Sequence, residues 1–134
     1  DTQVTFNVDP TYTITIPETI TLAKTDVDNT VKYIGSGTLK ANAGLRLKAD
    51  EKIEVRLTEC DYKLDAGKPE IYELDYTVNV DTTDITATSN LVATFTTENN
   101  ATEQTSELTF TADDPTYAGE YSDTVTFTVA VVQK

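Results

Sequence analysis

Apolar and polar residues alternate one for one through almost every segment of this sequence, and that habit decides which folds are open to it. In Ile53-Glu54-Val55-Arg56-Leu57-Thr58 every second side chain is aliphatic. A β-strand sends successive side chains to opposite faces, so such a run buries one face and wets the other; a helix instead needs apolar residues three and four apart. Helical spacing is almost absent. Val4, Phe6 and Val8 alternate ahead of Pro10, Tyr12, Ile14 and Ile16 follow as far as Pro17, and Ile20 and Leu22 carry the pattern to Lys24. Thr25 to Asn29 reads as a loop before a strand opening at Val31 and Tyr33, in which Gly35 and Gly37 are expected to mark a bulge.

Further along, Ile53–Leu57 and the run Tyr72, Leu74, Tyr76, Val78, Val80 flank Asp65-Ala66-Gly67-Lys68-Pro69, whose turn chemistry predicts one long hairpin. Later strands are expected at Leu91, Ala93 and Phe95, at Leu108 and Phe110, and where Tyr121, Val125, Phe127, Val129 and Val131 share a face. Strands this strictly one-sided fit antiparallel sheets better than parallel ones, which read as continuous apolar runs. The expectation is an all-β fold, an antiparallel immunoglobulin-like Greek-key β-sandwich of about eight to ten strands, with residues 1–134 as one domain.

Threonine fills about a fifth of the positions, mostly opposite the apolar residues. Its branched Cβ favours extended backbone and its hydroxyl tolerates water, so the wet faces are built to stay in sheet form. No apolar stretch approaches the ~20 residues that a membrane-spanning helix needs, so membrane insertion is not expected. With 23 acidic against 10 scattered basic side chains, the net charge of −13 argues against nucleic acid and anionic lipid as partners. Histidine, tryptophan and methionine are absent and cysteine occurs once. A histidine triad, a histidine metal site and a disulfide framework are thereby excluded. A chain beginning at Asp1 without methionine is expected to be a processed form or a fragment of a longer product, and a Thr-rich, Cys-poor acidic β-chain suits a secreted or cell-surface location.

Ala118-Gly119-Glu120-Tyr121 has the form of a tyrosine corner, in which a hydroxyl ties the start of a strand back to a nearby connection; the alternative is an ordinary half-buried strand tyrosine. Two residues on, where an immunoglobulin domain carries a bonded Cys, stands Asp123. Thr11-Tyr12-Thr13-Ile14-Thr15-Ile16-Pro17-Glu18-Thr19-Ile20-Thr21-Leu22 resembles the opening "YTVTIPxTITL" of secreted surface proteins of Gram-positive bacteria. Ala118 to Val129 resembles the "AGxYxxTVTFTV" ending shared by those proteins, fimbrial subunits and spore-coat-like secreted proteins. The resemblance covers roughly a quarter of the chain, at its two ends. It implies a bacterial adhesin-like surface sandwich.

Carboxylates are the only abundant catalytic material, and a glycosidase needs two, about 5–10 Å apart. Glu54, Glu73 and Asp75 fall on wet strand faces, so a hydrolase ranks last and no catalytic residue is assigned. Calcium is the one cofactor considered, with Asp26, Asp28 and Asn29, Asp113 and Asp114, and Asp81 and Asp84 as candidate oxygens; these acids serve first as turn formers, and no EF-hand spacing is present. Cys60 is expected to be a partly buried structural thiol. A Lys–Asn isopeptide crosslink is disfavoured because the last strand holds no Asn.

Tyr33, Tyr62, Tyr72 and Tyr117 are candidate sugar-stacking residues. Thr2 to Val8, a short alternating strand set off by Asp9-Pro10, is expected to pair within its own domain, with donation to another molecule as the alternative. The leading reading is a non-catalytic bacterial surface module, structural or adhesive, whose loops contact other surface proteins or glycans. A carbohydrate-binding module and a fimbrial-like subunit that assembles by strand exchange are the alternatives.

Overall fold

In a computed structural model of the chain, residues 2–66 and 73–134 are described. Ten strands are described: β1 (Ile14–Thr15), β2 (Ala23–Val27), β3 (Thr30–Ala41), β4 (Glu51–Glu59), β5 (Lys63–Asp65), β6 (Glu73–Val80), β7 (Thr83–Ile85), β8 (Leu91–Phe95), β9 (Gln104–Asp113) and β10 (Thr126–Gln133). Every pairing is antiparallel. One sheet runs β1-β3-β9-β6-β5, with β2 beside β3 and β7 beside β6; the other runs β10-β4-β8. The all-β antiparallel architecture expected from the alternation is the one observed. From Gly67 to Pro69 the expected turn lies outside the described residues, as does Tyr72.

The inner faces of the two sheets share one core. Leu39, Ala41, Val78, Leu108, Phe110 and Ala112 of the larger sheet are buried with Ile53, Val55, Leu57, Val92 and Phe95 of the smaller one. Each large aliphatic or aromatic side chain so buried contributes about 1.5–3 kcal/mol relative to exposure. No polar or charged residue among those described is buried with them.

Several local expectations change. Val4 to Val8 form no strand: residues 2–10 have no ladder partner among the described residues, and their side chains are exposed. Thr25 to Asn29 is not a loop. β2 runs to Val27, and Asp28 and Asn29, at φ 50° and 66°, make a two-residue hairpin turn into Thr30. No bulge occurs at Gly35 or Gly37, because β3 pairs with β9 in unbroken register from Lys32 to Ala41. Those glycines instead admit the segment between β1 and β2: a Cβ on Gly37 would stand 2.7 Å from Ile20 Cδ1, and one on Gly35 would collide with the Thr21 carbonyl.

The long hairpin is also replaced. β4 pairs with β10 and β8, whereas β6 lies in the other sheet between β9 and the short strands β5 and β7. The chain changes sheet through Cys60-Asp61-Tyr62, where Tyr62 takes φ 56°. In β8 a register shift against Val55 and Arg56 sends Val92 inward and leaves Leu91 exposed.

Candidate functional site at the open end of the sandwich

A cavity lies where the chain enters β10. A trough of about 1130 Å³ opens between the 16–22 segment and residues 114–127, with Leu64, Leu74, Tyr76 and Phe110 among its apolar lining and Glu18, Asp114 and Glu120 among its acids. β3 is covered on one side by β1 and β2, but among the described residues β10 ends its sheet with β4 as its sole strand partner. The inward side chains of β10 are therefore incompletely covered: Phe127 and Val129 are half-buried and Val131 is 38% exposed, against 0–2% for Ile53, Val55 and Leu57 on the next strand.

The connection into β10 is pinned at two points. Tyr121 Oη donates to the Tyr117 carbonyl oxygen at 2.7 Å, the geometry of a tyrosine corner. Ser122 and Asp65 exchange both backbone hydrogen bonds, at 2.8 and 3.0 Å. Asp123, in the same inward parity as Tyr121 and Val125, accepts from the buried Tyr76 hydroxyl at 2.6 Å. Cys60 Sγ lies 2.9 Å from that hydroxyl. Because the single tyrosine proton is given to the carboxylate, the thiol donates to Tyr76 Oη, in the order Cys60, Tyr76, Asp123.

Burial pushes the Cys60 thiol up, with Asp123 and Asp61 adding to the shift; its hydrogen bonds with Tyr76 and with the backbone at Tyr62 oppose it. The Tyr76 phenol is pushed far above its ordinary value, first by burial and then by its bonds to Asp123 and Cys60. Burial, with the neighbouring thiol, also raises Tyr62. These groups are held neutral, so the cluster works as a clamp between β6, the β4–β5 crossing and the lead-in to β10. It does not present an activated nucleophile.

The other sequence candidates disperse. Asp28 and Asn29 form the β2–β3 turn, Asp26 lies on exposed β2, and Asp113 pairs with the Lys32 ammonium while Asp114 faces the trough. Asp81 turns the β6–β7 hairpin at φ 54°, and Asp84 accepts from Asn79. Among the described residues no three acidic or thiol side chains stand close enough together to hold a metal ion. Glu54 sits between Lys52 at 3.7 Å and Arg56 at 3.3 Å, and Glu73 faces Lys63 at 3.7 Å.

Of the tyrosines, Tyr33 and Tyr117 line the trough, Tyr117 being 48% exposed. Tyr62 instead packs against Tyr76 with ring centroids 6.1 Å apart. Among the described residues its buried hydroxyl has no hydrogen-bond partner. No helix of the described residues is long and apolar enough to cross a membrane. Neither a family model nor a curated protein matches the chain.

Proposed function

We propose that the chain is a non-catalytic structural or adhesive module of a bacterial cell surface, a rigid sandwich whose contacts are made at its open end. The observation that carries this reading is the trough at the start of β10, where apolar surface meets a strand edge that no described residue pairs with. The resemblance of Thr11–Leu22 and Ala118–Val129 to secreted Gram-positive surface proteins supports the same location. A pinned corner, a hydrogen-bonded clamp and a dry core give such a module the stiffness that displaying a contact surface requires.

A second reading, carbohydrate binding, is favoured by Tyr33 and Tyr117 on the trough, since aromatic faces and neighbouring carboxylates are the chemistry that sugars recruit. Incubation with a broad glycan panel tests both readings. The structural module leaves every glycan intact and unbound; saturable binding lost in Tyr117→Ala selects the carbohydrate reading, and release of a sugar product would overturn both.

A further inference from the structure

We infer that the N-terminal arm, Thr2 to Val8, of one copy of this chain adds as a strand along the free edge of β10 in a second copy, laying Val4, Phe6 and Val8 beside the incompletely covered Phe127, Val129 and Val131. This rests on the reading of the chain as a structural surface module and names its partner.

The donor is defined by what it lacks at home. Val4 is 91% exposed, Phe6 89% and Val8 49%, although they alternate as strand residues with one apolar face do. Among the described residues no backbone hydrogen bond ties residues 2–10 to the rest; the first is at Thr11, which exchanges both bonds with Arg46 at 2.9 and 2.8 Å. That exchange, with the pairing of Ile14 and Thr15 to Ala41 and Lys40, roots the arm in the larger sheet. Pro10 fixes its own φ and holds Asp9 to extended backbone, and no glycine is present to reverse the chain. A return onto its own domain is disfavoured, and the arm is directed toward a neighbour.

The acceptor is equally specific. The two outer edges of the small sheet are treated differently. At β8, Ser106 Oγ donates to the Val92 carbonyl at 2.6 Å, and Gln104 caps Thr96 through both its amide atoms at 2.8 and 3.1 Å, so side chains of β9 close that edge. At β10 the hydrogen bonds from described residues run to β4 and its flanks, and the far edge carries none. Natural edges are usually guarded by charge or proline; Thr126–Gln133 has neither.

The two pieces match. Seven arm residues span roughly 23 Å and the eight of β10 roughly 27 Å. Both are uncharged, so strand meets strand without adding to the repulsion between two copies each carrying −13. Val4, Phe6 and Val8 fall on one face, as do Phe127, Val129 and Val131, so a single register turns both sets toward the core. Covering the arm and an equal area of the β10 edge buries roughly 1,000 Å² per arm, the size at which specific interfaces begin.

The test uses the 134-residue chain with a donor-blocked variant, Phe6→Asp, and an acceptor-blocked variant, Val131→Asp, in sedimentation velocity from 1 to about 200 µM, over which an interface of this size should populate. The wild type is expected to associate with rising concentration. Each variant alone should stay monomeric, and an equimolar mixture should form a 1:1 complex, because one variant keeps a sound edge and the other a sound arm. Recovery in the mixture also shows that both variants fold. A wild type that stays monomeric throughout overturns the assignment; so does a mixture that does not associate, or a Phe6→Asp loss of melting temperature independent of concentration, which would seat the arm on its own domain. None of these failures bears on the glycan panel, so the structural reading can stand without this partner.

Discussion

Gly35 lies directly beneath the backbone of Thr21: a Cβ on the glycine would overlap the Thr21 carbonyl oxygen and stand 2.9 Å from its carbon. The segment joining β1 to β2 thus rests on the inner face of β3, and Ile20 and Leu22 reach the core through that contact. Gly35→Ala must displace backbone, since a carbonyl cannot move aside as a flexible side chain does, so a loss of about 1–3 kcal/mol is expected in urea unfolding. A loss below 0.5 kcal/mol would mean that the segment does not rest there.

The Tyr76 hydroxyl is a second pressure point. Tyr76→Phe removes a hydrogen bond to a carboxylate, for an expected loss of roughly 1.5–3 kcal/mol at pH 7. The pH dependence gives the sharper readout. Folding raises Cys60 above 9.0 and Tyr76 above 10.0, so the native state holds protons that the unfolded chain releases. The stability due to these groups is complete below pH 9 and drains away as the pH climbs through 9 and 10 toward the folded values. Denaturant midpoints from pH 7 to 11 should fall less steeply in Tyr76→Phe than in the wild type; parallel profiles would contradict the clamp.

Cys60 should react slowly. A desolvated thiol that donates to Tyr76 carries little thiolate at neutral pH. Iodoacetamide at pH 7.5 is expected to alkylate the native protein at least tenfold more slowly than the urea-unfolded chain, with Tyr76→Phe shifting the native rate. Equal native and unfolded rates would show the thiol to be open.

The bond from Tyr121 to the Tyr117 carbonyl holds the turn that leads into β10. Tyr121→Phe is expected to cost about 1 kcal/mol and to hasten amide exchange at Ser122 and Asp65, the adjacent backbone pair.

Calcium is expected to leave the protein unmoved. Asp28 and Asn29 are committed to a turn and Asp113 to Lys32. Thermal midpoints with millimolar calcium and with chelator should coincide; a rise abolished by Asp113→Asn would restore a site at that end of the sheet.

The clamp was only partly visible in the sequence. Tyr76 announces itself as inward by its alternation, and Asp123 carries the one available signal for the rest, a carboxylate at a core-facing parity between Tyr121 and Val125, which requires a partner. Cys60 supplies no such sign, because it lies 16 positions from Tyr76, and only the change of sheet at Tyr62 brings its sulfur within reach. The trough had no signal at all, since it is lined by segments far apart in sequence, residues 16–22 and 114–127, that only the tertiary structure brings together.

Alternation by itself determined that this chain forms strands and which residues turn inward, such as Ile53, Val55 and Leu57 or Leu108 and Phe110, because side-chain parity is local to each strand. Partner choice belonged to the tertiary structure. Backbone donors and acceptors are the same in every strand, so nothing in the period sets β4 beside β10 and not β6. That was decided by how two twisted sheets enclose one core: where Gly35 and Gly37 admit a crossing segment, where Val92 shifts parity, and which edge is left without a neighbour.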